Sequence, residues 1–341
     1  MKKTRPLLSV LLPVFNAQET VGRAMQSILA QTFHDFELLV VNDGSEDGSL
    51  EAVKKFCDPR IEIIDLKRNC GLVAALNCGL EAARGDLIAR QDADDESLPA
   101  RLQLQCAALS NNSKLVAVGA ALRIMRNESA TGEVWKYPAS AAGARWQSLF
   151  KTPVAHSAVM YRRKPVVECG GYSDEYKCAE DYELWSRLLE IGDIRSLSNI
   201  LVGYDVGIGG VSRTRANEQR RVHCRIAGNN MQRLSNSRIE SDVIELLSFG
   251  VEDFGVLQEF SRFQRAVNVF ASLYQTFLAT ERALWDGEMP SEVRLDMEER
   301  ACKIVRMLPY RERLRGLNCI LTAMPKRSFS SRSIASMLLF P

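Results

Sequence analysis

Three carboxylates, Asp92, Asp94 and Asp95, fall within four positions in QDADD, residues 91–95. They follow LIAR (87–90), a mainly apolar run that reads as a strand, so they stand where that strand ends. Like charges at this spacing repel, and Asp is a poor strand former. A bound cation removes the repulsion. A D-x-D pair offers hard oxygen ligands suited to Mg²⁺ or Mn²⁺, which keep several waters and bridge to a substrate diphosphate. The competing reading is structural: Asp94, Asp95 or Ser97 caps the helix expected in SLPARLQLQCAAL. Asp43, in NDG after the apolar run FELLVV, is a turn residue or an acceptor for the N3–H of a uracil ring. In the second case the Pro13–Phe15 turn packs against that ring. Glu180–Asp181 opens the helical pattern AEDYELWSRLLEIG (179–192). A helix N-terminus favours carboxylates by about 0.3–1 kcal/mol. Alternatively, one of the pair is a general base, which must be ionised and within reach of the hydroxyl it deprotonates.

The elements that must position these residues alternate. LLSVLLPVF (7–15), FELLVV (36–41), IEIIDL (61–66) and LIAR read as strands, the first as one covered on both faces. Helices are expected after NAQE (16–19), which has the form of a capping box with Asn16 as cap, at 49–57 and near 71–84. This α/β alternation predicts a mainly parallel sheet with helices on both faces. Such sheets bind ligands at the carboxyl ends of their strands, near the switch in strand order. Pro13–Asn16, Asn42–Ser45 and Gln91–Asp95 all lie at such ends. Beyond Ser97 the pattern loosens: LVAVGAALRIM (115–125) and HSAVMYRR (156–163) read as strands, and 215–234, 238–248, 253–285 and 291–307 as helices. The boundary falls near 213, giving a nucleotide-binding and catalytic domain over 1–213 and a helical region over 214–341.

With 46% hydrophobic and 25% charged residues the chain has the composition of an ordinary globular protein. A net charge of +2 argues against a dedicated nucleic-acid binder. Nine scattered cysteines without a C-x-x-C pair read as buried free thiols of a reducing compartment. MKKTRPLLSVLLPVF mimics a secretory signal, but its apolar run stops at Pro13 without a small-residue cleavage site. No stretch approaches 18 uninterrupted apolar residues, so no spanning helix is expected. Residues 306–341 carry seven positive charges against one negative, a difference of +6, interleaved with Leu, Ile, Met and Phe. This tail suits a membrane surface or a solvated helix face equally.

As a set, SVLLPVFNAQETVGRAMQSILAQTF, FELLVVNDGSEDGS, NCGLVAALNCGLEAARGDLIARQDADDESLPARL, HSAVMYRR and CGGY…AEDYELWSRL resemble the family 2 glycosyltransferases, GT-A-fold enzymes of bacterial surface-polysaccharide synthesis. The resemblance covers roughly 6–213. It implies that Pro13, Phe15 and Asp43 line the nucleoside pocket, with Gly71 and Asn77 nearby. It further implies that Asp92 approaches the ribose, that Asp94 holds Mn²⁺ or Mg²⁺ on the diphosphate of a UDP-linked sugar, and that Asp181 deprotonates the acceptor hydroxyl with inversion. His156 and Glu180 fall on the acceptor side. The implied acceptor is a glycan or lipid-linked glycan at the cytoplasmic membrane face, with the basic tail as a peripheral membrane contact and an oligomer as an open option.

One segment departs from the family. Where it often reads Tyr-Arg-x-His, this chain reads YDVGIGG, so Asp205 replaces the Arg and Gly207 a His that can contact the metal. Either the metal has fewer protein ligands, or Asp205 or His223 substitutes, or the loop is ordered differently. The departure also raises an alternative, a non-catalytic sugar-nucleotide-binding subunit of an assembly complex, against which the intact DADD and ED segments weigh. A dinucleotide oxidoreductase would share the sheet pattern, but G-x-G-x-x-G is absent after the first strand.

Overall fold

The structure is a computed structural model that describes residues 5–126, 129–206, 215–249, 260–282, 289–309, 312–324, 329–330 and 333–334. Its strands are β1 (Leu8–Val14), β2 (Phe36–Asn42), β3 (Ile61–Asp65), β4 (Leu87–Arg90), β5 (Glu96–Ser97), β6 (Leu115–Arg126), β7 (Ser129–Trp135), β8 (Met160–Arg162) and β9 (Asp193–Asp205). They form one sheet in the order β3-β2-β1-β4-β8-β6-β9-β5, with β7 on β6. The four strands from β3 to β4 are parallel. β8 runs antiparallel to both β4 and β6, while β6 and β9 are parallel. The chain steps outward from β1 to β2 and β3, then returns past β1 to β4. The strand order therefore reverses between β1 and β4, and QDADD leaves the sheet at that reversal.

The continuous apolar run of β1 reflects its two covered faces. Leu8, Val10, Leu12 and Val14 pack with Val21, Met25 and Ile28 of α1 (Val21–Leu29). Leu11 faces the other way, into a cluster with Leu76 and Leu80 of α3 (Leu72–Ala82) and Leu184 and Leu188 of α7 (Glu180–Ile191). Each such side chain, fully buried, contributes about 1.5–3 kcal/mol. Between these helices come α2 (Ser49–Lys54), α4 (Arg101–Ser110), α5 (Ala141–Gln147) and α6 (Arg163–Glu168).

Three local expectations are corrected. Asn16 does not cap α1, which starts at Val21 after Thr20. Asn16 has φ +48, and its Oδ1 accepts the Glu46 N–H at 2.9 Å, so it ties the β1 turn to the β2 turn. Ser97 does not cap α4; it pairs with Val202 as part of β5. HSAVMYRR is a short 3₁₀ turn, His156–Ala158, followed by the three residues of β8 and the start of α6. The cysteines also differ from expectation: all nine are free, but only Cys106 and Cys302 are buried.

The chain separates into two units, residues 1–144 with 152–222 and residues 145–151 with 223–341. The expected boundary near 213 lies outside the described residues. The second unit contains α8 (Ala216–Ser235) from His223 onward, α9 (Ser241–Phe249), α10 (Phe260–Glu281), α11 (Ser291–Arg306) and α12 (Arg313–Ala323). Its core centres on Trp146, whose ring lies 5.1–5.9 Å from those of Phe150, Phe270, Tyr274 and Phe277. The Trp146 Nε1–H donates to Asp296 at 2.8 Å. No helix among the described residues is long and apolar enough to cross a membrane. Of the basic tail, Arg313 is buried and Arg315 stacks over Phe260 at 3.8 Å; Arg311, Lys326, Arg327 and Arg332 lie outside the described residues.

Candidate active site

The QDADD loop is held from behind by a buried guanidinium. Arg101, at the start of α4, donates to Gln91 Oε1 (2.9 Å), Ser97 Oγ (2.7 Å), the Arg90 carbonyl (2.6 Å) and Gln105 Oε1 (3.1 Å). Gln91 in turn donates to the carbonyls of Asp92 (3.1 Å) and Asp95 (2.8 Å). A fixed fork of donors thus sets the loop's path. Burial lowers the Arg101 pKa to about 9, which still leaves it charged at neutral pH.

On this frame the three carboxylates separate. Asp92 accepts from Arg90 Nη2 at 2.7 Å. Asp94 is exposed, and its carbonyl accepts from Arg23 Nη2 at 2.8 Å. Asp95 is wholly buried, and its Oδ1 accepts the Asp205 backbone N–H at 2.9 Å. It therefore pins the end of β9 and does not serve the helix after Ser97. One carboxylate oxygen from each of the three lies within 4.8 Å of the others. Although Asp94 reaches solvent, the protein mass around it limits its hydration. This, followed by the Asp92 charge, raises its pKa to about 6. Burial, then Asp92 and Asp94, pushes Asp95 well above the ordinary carboxylate range. The Ser157 hydroxyl also bonds the Asp95 carboxylate. Three clustered hard oxygen donors and their mutual repulsion fit Mg²⁺ or Mn²⁺. Asp205 lies beside this cluster, in a cleft lined with Arg23, Asp94, Glu96, Met125 and Gly203. His223 Nε2 donates to the Phe150 carbonyl (2.8 Å) within the second unit, and Gly207 lies outside the described residues.

Glu180 and Asp181 are the first two residues of α7, where the helix dipole favours negative charge. Burial nevertheless dominates. It raises Glu180 to about 7, with the Asp181 charge adding to the rise. It raises Asp181 to about 6, against the Tyr182 backbone N–H and the Arg90 charge, which lower it. Both carboxyls feel Arg90 and Asp92. The buried Arg90 charge thus acts on both the DADD and the ED segments, some 90 residues apart in sequence.

His156 Nε2 lies 3.0 Å from the Tyr172 hydroxyl, which donates to that of Tyr161 at 3.3 Å. Burial, then the Arg90 charge, holds the His156 pKa well below 6.5, so its ring is neutral. Nearby, Trp135 is 38% exposed, with its ring 5.7 Å from that of Tyr204. Burial raises the Tyr137 hydroxyl above its usual range, with Asp181 adding, and Tyr204 likewise with Asp92 adding. Aromatic rings thus flank both carboxylate sets.

At the other edge, Pro13 is buried opposite Val41, and Phe15, just past β1, is 45% exposed. Asp43 is buried and accepts the Cys70 and Gly71 N–H groups at 2.7 and 2.9 Å, fixing the turn into α3. The glycine of NDG is required there: φ at Gly44 is +65°, and a Cβ would stand 2.3 Å from the Arg68 carbonyl carbon. Asn77 sits farther along α3. Its amide donates to the Tyr172 carbonyl (2.8 Å) and accepts the Tyr172 N–H (2.9 Å), clamping the Gly171–Tyr172 turn. Sequence reasoning missed Arg90, Arg101, Arg23 and the aromatic group. Arg90 carried a signal, a cation closing a strand directly before three acids.

The description "Glycosyl transferase family 2" belongs to the family model that matches residues 9–170. The chain is 31% identical over 215 residues to an uncharacterized glycosyltransferase of Haemophilus influenzae, covering 58% of this chain and 65% of that protein's length. It is 30% identical over 214 residues to the amylovoran biosynthesis glycosyltransferase AmsE of Erwinia amylovora, covering 61% and 80%. In fold it resembles Staphylococcus aureus TarS (residues 1–349 with UDP-GlcNAc), with TM-score 0.56, 15% identity, and coverage of 93% and 88%. It also resembles the mannosyltransferase PcManGT of Pyrobaculum calidifontis (with GDP-Man and Mn²⁺), with TM-score 0.52, 15% identity, and coverage of 98% and 79%. At these identities the structural likenesses speak to the GT-A-like α/β fold. With the sequence matches and the acidic cluster at the strand-order reversal, they lead to one conclusion: the chain belongs to glycosyltransferase family 2.

Proposed function

We propose that the chain is an inverting glycosyltransferase that moves a sugar from a UDP-linked donor to a hydroxyl of a glycan or lipid-linked glycan in surface-polysaccharide synthesis. The observation that carries this reading is the convergence of the DADD carboxylates and the Glu180–Asp181 pair around Arg90. In this reading Phe15, Pro13, Asp43 and Gly71 receive the nucleoside, and Asp92 faces the ribose. Asp94, with Asp92 beside it, would hold a divalent cation, which supplies charge neutralisation for the leaving diphosphate. Asp181 takes the proton of the acceptor hydroxyl as that oxygen bonds to the anomeric carbon from the face opposite the diphosphate. The bond to the diphosphate breaks, its electron pair departs with the leaving group, and the configuration inverts. Trp135, Tyr137 and Tyr204 offer the apolar faces on which an acceptor sugar ring packs. The name of AmsE supports a polysaccharide product, and the complexes of TarS and PcManGT support a sugar nucleotide donor. Lipid-linked acceptors would place the reaction at the cytoplasmic face of the membrane.

The test is thermal stabilisation by a panel of UDP-, GDP- and dTDP-sugars with Mn²⁺ or with EDTA, followed by transfer assays. A donor at 100 times its Kd stabilises by about 2.7 kcal/mol. A UDP-sugar should raise Tm with Mn²⁺, less with EDTA, and less in Asp94→Asn. A protein that no sugar nucleotide stabilises with Mn²⁺ present would overturn the proposal.

A further inference from the structure

Arg90 closes β4 and is 1% exposed. Its Nη2 bonds Asp92, while Nε and Nη1 have no hydrogen-bond partner among the described residues. A guanidinium stays protonated and carries five donors, so burying one half-matched is costly unless opposite charge surrounds it. Alternation along β4 shows where that charge comes from. Ile88 lies in the cluster formed by Tyr161, Tyr172, Leu184 and Trp185, and Arg90, two residues on, faces the same side. That is the side covered by α7, whose first residues are Glu180 and Asp181. The groups whose charge or dipole acts on Arg90 are Asp92, which it bonds, and Asp94 from its own loop, Glu180 and Asp181 from α7, and the Tyr161 and Tyr172 hydroxyls. The neutral ring of His156 and the Arg101 guanidinium complete the set.

We infer that Arg90 is a positioning residue that joins the two carboxylate sets of the site: its Nη2 orients Asp92, and its charge holds the Glu180–Asp181 end of α7 over the donor cleft. The inference rests on the reading of Asp181 as the base and adds the element that places it. Arg90, buried and bonded to Asp92, acts through these carboxylates. Without it, Asp92, Asp94, Glu180 and Asp181 lose the buried positive charge they share, and α7 loses the attraction that seats its first turn.

The experiment is a double-mutant cycle on the full-length protein without metal, read by thermal melting at constant pH: wild type, Arg90→Gln, Asp181→Asn and the double variant. Breaking a buried charge arrangement should lower Tm by roughly 5–10 °C in Arg90→Gln. The same change should lower it by several degrees less in the Asp181→Asn background, because the partner charge is already gone. Additive losses, equal within about 1 °C, would overturn the inference. Arg90→Lys keeps the charge and should melt within a few degrees of wild type, whether or not Arg90→Gln folds. An Arg90→Lys protein as unstable as Arg90→Gln, or unfolded with it, assigns the loss to packing and also overturns the inference. In transfer assays the acid limb of Arg90→Gln should move to higher pH, and Arg90→Lys should restore it. The melting cycle uses no substrate, so additivity refutes the role of Arg90 whatever the enzyme catalyses. Absence of transfer by wild type counts against the functional proposal alone.

Discussion

Transfer should weaken tenfold as pH falls from 7 to 5. Asp181 must be ionised to accept a proton, and burial raises its pKa from the ordinary 3.8 to about 6. At pH 5, one unit below that value, roughly one carboxyl in ten is ionised; at pH 7 about nine in ten are. The ratio is the expected tenfold drop in kcat/KM, with unit slope on the acid side. An Asp at its ordinary pKa would stay ionised over the same range and give a flat profile. The assay is initial-rate transfer with the donor and Mn²⁺ saturating, from pH 4.5 to 8.5. Asp181→Asn should abolish transfer throughout while keeping nucleotide-induced stabilisation. A flat profile, or wild-type turnover by Asp181→Asn, would refute the assignment of the base. The same shift predicts the stability of the metal-free protein. A carboxyl with a raised folded-state pKa binds its proton more tightly when folded, so the unfolded chain holds fewer protons between the two values. The stabilising contribution is complete below 3.8 and is lost as pH rises through about 6; Glu180, moved from 4.5 to about 7, extends the window. From these two groups Tm should decline between about pH 4 and 7 and then level off.

Asn77→Ala removes two bonds to the Tyr172 backbone and should cost about 1–3 kcal/mol, read as a lower Tm with UDP affinity unchanged. Lost UDP binding at unchanged Tm would instead return Asn77 to the nucleoside pocket. Trp135→Ala should raise the acceptor KM about fivefold, equivalent to about 1 kcal/mol of lost ring packing, with the donor KM unchanged. Equal changes in both would remove Trp135 from the acceptor side.

What the sequence shows of this protein follows the range of the forces involved. The strands β1, β2 and β4 and the helices between them are legible because their apolar runs and helical spacings are local, and covered faces demand those residues wherever the chain later goes. The acidic strand end is legible for the same reason. The division of labour inside QDADD is not. Asp92, Asp94 and Asp95 are chemically identical and adjacent, and only distant groups separate them. Arg90 takes Asp92, Arg23 takes the Asp94 carbonyl, and the Asp205 backbone, 110 residues away, takes Asp95. The same limit misplaces Asn16, whose partner is on the next strand-end turn, Ser97, which pairs with β9, and Asn77, which clamps a turn 95 residues on. In each case a polar residue with a plausible local use, a cap or a ligand, is held by a partner that only the folded sheet brings near; for Asn16 and Asn77 that partner is a backbone group. A buried backbone N–H left unmatched is costly, so the nearest spare carboxylate or amide is drawn to it before any ligand arrives. A carboxylate oxygen has a second lone pair, so Asp43 and Asp181 keep acceptor capacity beside their backbone bonds. Asp94, the exposed acid of the cluster and part of the cleft lined by Arg23, Glu96 and Asp205, is the one best placed to meet a cation.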